Sequence, residues 1–152
     1  MNFYLRFFAL ILAIGVAFLT AQAQEKKITR KQLPPAVEKT VTKESQGATI
    51  KGFAKETDNG QTVYELELIV NGRSKDVLID KQGNVIEAEE QVSMDSLPAT
   101  VQEALKQAAG SGTIGLIESL SKNGTRVSYE AHVKHGKKRS EIKVGPNGES
   151  MK

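Results

Sequence analysis

The chain has 152 residues, of which 21 are basic, 18 are acidic and none is cysteine. Without cysteine it cannot form disulfides, a thiolate metal site or a thiol catalytic centre. Its formal net charge of +3 is too small to predict nucleic-acid binding. The length suits one domain or two very small ones.

Residues 1–23 have the three parts of a secretory signal peptide. Arg6 is the only charge, residues 7–19 form an unbroken apolar run, and Ala21-Gln22-Ala23 supplies small residues for cleavage. As a helix, that run spans about 20 Å, short of the roughly 30 Å hydrocarbon core of a bilayer. We expect cleavage after Ala23, export to the periplasm or the extracellular space, and no stable membrane insertion afterwards. A retained membrane anchor is the alternative.

A short N-terminal arm, residues 24–31, precedes the first predicted helix, which opens with LPPAVEKTV at 33–41. Proline is tolerated in a first helical turn because its missing N–H would have no partner there. Leu33, Val37 and Val41 recur every four residues, which predicts one apolar stripe.

The residues after Gly47 change from a helical to an alternating pattern, which predicts strands. Tyr64, Leu66 and Leu68 share one side, and Glu65 and Glu67 share the other. Asn-Gly pairs at 59–60, 71–72, 123–124 and 147–148 are typical of tight type I′ turns, because both residues tolerate positive φ. The pattern therefore predicts an antiparallel meander.

The same plan recurs about 64 residues later, as the spacing of Leu33 from Leu97 and of Gly60 from Gly124 shows. LPATVQEAL at 97–105 opens a second predicted helix, and its apolar stripe is Leu97, Val101, Leu105 and Ala108. In the following strand Val127, Tyr129, Ala131 and Val133 alternate with Ser128, Glu130 and His132.

The predicted fold class is α+β, a tandem repeat of a helix followed by a three- to four-stranded antiparallel meander, with the helices on one face of the sheet. The predicted repeats are residues 32–91 and 92–152. The sequence leaves open whether the two sheets are continuous.

These motifs resemble the PepSY-like domains of exported bacterial proteins over residues 30–152. The residues that carry the likeness are the two LPxxV helix openings, the Tyr-Glu pairs at 64–65 and 129–130, and the closing Asn-Gly hairpins. The tandem arrangement is similar to that of the β-lactamase inhibitory proteins (BLIP). The resemblance implies an exported binding module of the kind that regulates or inhibits secreted enzymes. It carries over no inhibitory residue, because the chain lacks the cysteines and the aromatic-rich contact surface of those inhibitors.

Catalysis finds little support in the sequence. Neither His132 nor His135 has a recognisable catalytic partner, and no serine lies in a Gly-x-Ser-x-Gly elbow. A pair of the carboxylates Glu65, Glu67 and Glu130 could serve as catalytic acid and base. Such residues more often lie on the solvent-exposed side of a half-buried strand. We therefore predict no enzymatic activity and no cofactor, and we assign no catalytic or metal-binding residue.

The leading hypothesis is an exported, non-enzymatic binding protein that uses the open polar face of its sheet. Its partner is another exported or envelope protein, such as a secreted enzyme, and not a nucleic acid. A basic hairpin borders the face; it is either a solvated tip or a docking point for an acidic partner or membrane surface. The alternative is a periplasmic small-ligand or metal-sensing module with His132 and nearby carboxylates as ligands. The predicted binding residues are Glu65, Glu67, Ser128, Glu130, His132, Lys134, Lys137, Lys138 and Arg139.

Overall fold

The computed structural model describes residues 25–58 and 60–151. The predicted signal peptide, residues 1–23, and Asn59 of the first Asn-Gly pair lie outside the described residues. Among the residues described, no helix has the length and apolar character needed to cross a membrane.

Over this part of the chain nine strands form one antiparallel sheet, and their order in the sheet is their order in the sequence. The two α-helices within the described residues are α1 (Pro35–Glu44) and α2 (Ala99–Ala109). The strands are β1 (Lys26–Ile28), β2 (Thr49–Asp58), β3 (Gln61–Val70), β4 (Arg73–Asp80), β5 (Val85–Gln91), β6 (Thr113–Lys122), β7 (Thr125–His135), β8 (Lys138–Val144) and β9 (Ser150–Met151).

The prolines start the helices, as predicted. Pro34 is the N-terminal cap and Pro35 the first residue of α1, and Pro98 directly precedes α2. The predicted apolar stripes pack against the sheet, with Leu33 partly buried and with one correction in α2. Ala108 is exposed, and Ala109 occupies the last buried position instead.

The predicted fold class, a tandem repeat of helix-plus-meander units, is wrong. β5 pairs with β6 from Glu87–Lys122 to Gln91–Glu118, so the strands run across the predicted boundary at residues 91 and 92 as a single sheet. The physical reason is that two separate sheets would each expose a row of unpaired backbone N–H and C=O groups at this edge. The predicted N-terminal arm also joins the sheet, because β1 pairs with β2.

Two of the Asn-Gly turns have the predicted conformation. Both residues have positive φ at Asn71-Gly72 (50° and 81°) and at Asn123-Gly124 (48° and 77°), as a type I′ turn requires. The pair at 147–148 differs, because only Gly148 has positive φ there. In that wider turn the Gly145 N–H donates to the Glu149 carbonyl at 2.7 Å.

Both helices pack on the same face of the sheet. Val37 and Val41 of α1 contact residues of β3 and β4, and Val101 and Leu105 of α2 contact residues of β6, β7 and β8. Leu66, Val77, Ala88 and Ser121 are paired in turn from β3 to β6, and directly paired residues share a face. The face opposite the helices, here named the open face, therefore continues from β2 to β8.

Candidate functional site

Carboxylates lie side by side on the open face. Glu67 of β3 is directly opposite Asp76 of β4, which is directly opposite Glu89 of β5. On the next strands Glu118 is directly opposite Glu130. Like charges in such cross-strand positions repel one another, so this arrangement opposes folding.

We name this set of carboxylates the acidic belt; its members are Glu65, Glu67, Asp76, Glu87, Glu89, Glu118 and Glu130. Lysines from within the sheet offset two of the charges. Lys122 lies 3.0 Å from Glu87, and Lys143 forms a short contact with Glu130. The belt thus gathers seven carboxylates on one face of a chain whose net charge is positive.

Two members of the acidic belt have pKa values well above that of an ordinary glutamate. Burial, followed by repulsion from Asp76, Glu25, Glu67 and Glu56, raises the pKa of Glu65 to about 7. Burial, followed by repulsion from neighbouring belt carboxylates, raises the pKa of Glu89 to about 7. Each side chain therefore exchanges its proton near neutral pH, where an ordinary glutamate is fully ionised.

The raised pKa of Glu89 predicts that the protein loses stability as the pH rises. The folded state holds this proton up to about pH 7, whereas the unfolded chain releases it near the ordinary value of 4.5. The stability that the folded state gains by holding this proton is thus fully present below about pH 4.5 and is lost as the pH rises through about 7. We expect Glu89→Gln to raise the free energy of unfolding at pH 8 by about 1 to 2 kcal/mol, allowing for partial exposure, and to flatten its pH dependence.

Urea unfolding at pH 5 and pH 8 measures this effect. Glu90→Gln is the matched control, since Glu90 is on the same strand but on the helix-covered face, and its substitution leaves the Glu89 carboxyl in place. Equal pH slopes for the natural chain and Glu89→Gln would contradict the prediction.

The structure brings most of the predicted binding residues onto one face. Glu65, Glu67, Glu130, His132 and Lys134 all project from the open face, as strand alternation predicts. Ser128 has the same parity but is completely buried, so its side chain is not available for contact. Of the hairpin residues, Arg139 shares the open face opposite Lys134, Lys138 has the opposite parity, and Lys137 lies in the turn.

Four residues of the acidic belt were not predicted from the sequence: Asp76, Glu87, Glu89 and Glu118. Their alternation was visible in the sequence, most clearly in Val85–Gln91, where Glu87 and Glu89 are two residues apart. What no local pattern supplies is the strand register that places these side chains opposite the predicted ones.

Oxygen ligands for a cation also lie at one end of the acidic belt. Carboxylate oxygens of Glu25, Glu65 and Glu67 all lie within 4.8 Å of one another. An all-oxygen set of this kind suits a hard cation such as Ca²⁺. Further along the open face, His132 lies between Glu118 and Glu141.

No protein-family model matches the chain, and no curated protein matches it in sequence. Several solved structures have a similar fold. A DUF2874 family protein from Bacteroides ovatus is 21% identical with a TM-score of 0.63, covering 80% of this chain and 86% of that one. A BLIP-like protein from Bacteroides fragilis is 20% identical with a TM-score of 0.60, covering 79% and 84%. A protein from Bacteroides eggerthii described as periplasmic is 18% identical with a TM-score of 0.65, covering 79% and 86%.

The predicted likeness to the β-lactamase inhibitory proteins is thus supported at the level of the fold, and the PepSY-like resemblance stays a prediction. The chain shares its fold with these Bacteroides proteins.

Proposed function

We propose that the protein is an exported, non-enzymatic binding protein of the periplasm, which uses the acidic belt to bind a cationic surface of another protein. The observation that carries this proposal is the direct cross-strand juxtaposition of carboxylates on a sheet face that neither α1 nor α2, the helices of the described residues, covers.

A cationic partner is the occupant that this surface fits best. Glu65 and Glu89 are half-buried among other carboxylates, and their ionisation opposes folding. Lysine or arginine side chains from a partner would bring positive charge close to Glu65 and Glu89 and favour their ionised forms. Residues that reduce stability in the free protein are typical of binding sites, where function limits how stable a fold becomes.

The location follows from two independent lines of support. The sequence of residues 1–23 has the composition of a signal peptide. One structural neighbour with the same fold is described as periplasmic, and another is described as BLIP-like. An exported protein would meet its partner in the periplasm, where secreted and envelope proteins are present.

A pull-down with a matched pair of variants tests the proposal. Residues 24–152 are immobilised and exposed to the envelope and secreted fractions of the producing cell at low salt. We expect a stoichiometric partner that Glu65→Gln/Glu89→Gln retains at least about tenfold less well, because loss of interfacial charge pairs weakens association. Binding should also weaken as salt is added.

Glu103→Gln is the control, because Glu103 is an exposed residue of α2 on the other side of the sheet. It removes a carboxylate without touching the acidic belt and should retain the partner fully. The glutamine substitutions remove repulsion, so unfolding does not explain a loss of binding by the double variant. The proposal fails if no stoichiometric partner is captured, or if the double variant and Glu103→Gln retain it equally.

A further inference from the structure

His132 of β7 lies on the open face between two carboxylates from the neighbouring strands. Its Nε2 atom is 3.6 Å from Oε2 of Glu118 on β6 and 3.5 Å from Oε1 of Glu141 on β8. The strand register holds this arrangement, because Glu141 is directly opposite His132. Glu118 is directly opposite Glu130, the residue two positions before His132 on the same face.

The two distances from the His132 nitrogen to the carboxylate oxygens suit a small divalent ion. Zinc bonds to histidine nitrogen and carboxylate oxygen are about 2.0 to 2.2 Å long, and a tetrahedral arrangement then separates neighbouring donor atoms by about 3.4 Å. The two distances from the His132 nitrogen are already close to that value. Binding would require the two carboxylates to move toward each other around the ion, which flexible glutamate side chains allow.

The site is also open and of suitable charge. The side chain of His132 is 47% exposed, so an ion in solution can reach its nitrogen. Two carboxylates balance the charge of a divalent ion, and zinc binds both imidazole nitrogen and carboxylate oxygen. Cationic side chains flank the site on the same face. Lys143 contacts Glu130. Lys134 and Arg139 are directly opposite each other on β7 and β8, two residues closer to the hairpin than His132 and Glu141.

We propose that His132, Glu118 and Glu141 form a binding site for a divalent transition-metal ion, zinc by its ligand chemistry. The site shares Glu118 with the acidic belt, whereas His132 and Glu141 lie outside the belt. Its test uses the ion alone and therefore does not depend on the proposed protein partner. Three adjacent strands each contribute one ligand, and the backbone hydrogen bonds of the sheet fix their relative positions.

Titration of residues 24–152 with zinc chloride, followed by calorimetry and by the imidazole ¹⁵N resonances, tests this inference. We expect one ion per chain and a shift of the His132 resonances at one equivalent of zinc. His132→Asn should weaken binding at least about tenfold, because it removes the nitrogen ligand. Calcium chloride at the same concentration should leave the His132 resonances in place, since calcium selects oxygen ligands.

His135→Asn is the matched control. His135 is the only other histidine in the chain, and it lies on the other side of β7 beside Gly112. It should leave zinc binding unchanged. If the carboxylates serve only to hold a protonated imidazole, zinc will leave the His132 resonances unmoved, and the inference is overturned. Equal affinities for His132→Asn and His135→Asn would overturn it as well.

Discussion

Leu105→Ala is expected to lower the free energy of unfolding by about 2 to 5 kcal/mol, because it removes buried methyl groups and leaves a cavity. Leu105 of α2 is completely buried between the helix and the sheet, where it packs with Val101, Ile117, Ala131 and Val144. The loss is a large part of the total stability of a domain of this size. Urea unfolding followed by circular dichroism measures it.

Gln107→Ala is the control for this experiment, since Gln107 is an exposed residue of the same helix and its loss should change stability by less than about 0.5 kcal/mol. Leu66→Ala, in the core beneath α1, should lower the urea midpoint of the same single unfolding transition. The reason is that β5 and β6 join the two cores through one sheet. Two separate transitions, one sensitive to each substitution, would contradict this account.

Gly83→Ala is expected to destabilise the protein by about 2 to 5 kcal/mol, through backbone strain and a steric clash together. Gly83 has a φ of +86°, in the left-handed region. A Cβ atom there would lie 2.6 Å from the backbone oxygen of Ala36 in α1. Thr40 of the same helix donates a hydrogen bond from Oγ1 to the Gly83 carbonyl at 2.5 Å, so the turn between β4 and β5 is tied to α1. Thermal and urea unfolding both report the loss.

Gly72→Ala separates the two contributions. Gly72 has nearly the same φ, +81°, but nothing lies within 4 Å of the position that its Cβ would take. This control should therefore show only the backbone strain, about 1 to 2 kcal/mol. If both alanine variants lose the same stability, close packing between the turn and α1 contributes nothing and the explanation for Gly83 is wrong.

Local patterns in the sequence predicted the elements well. The Leu-Pro openings located both helices, because proline is compatible with only a few helical positions. Alternation placed Glu65, Glu130 and His132 on the polar face, because the side-chain period of a strand is two residues. The Asn-Gly pair at 71–72 correctly indicated a type I′ turn, since both residues tolerate positive φ.

Non-local features were not accessible in the same way. The pairing of β5 with β6 depends on two edges that are separated by α2, and no residue near the predicted boundary specifies it. The acidic belt depends on the registers that bring Glu67, Asp76 and Glu89 into line. Alternation also gives the face of a side chain but not its depth, which is why the burial of Ser128 was not foreseen.

The order of the strands has a consequence for how the chain reaches its fold. Throughout the described sheet each strand pairs with the strand that comes next in the sequence. Such pairings close short loops and are typical of rapid folding, so a chain that crosses a membrane from its N-terminus meets each partner soon after it emerges. The longest delays fall at β1–β2 and β5–β6, where a helix must be completed before the returning strand arrives. Assembly from one end to the other leaves a single growing edge exposed, and each arriving strand covers the edge left by the one before it.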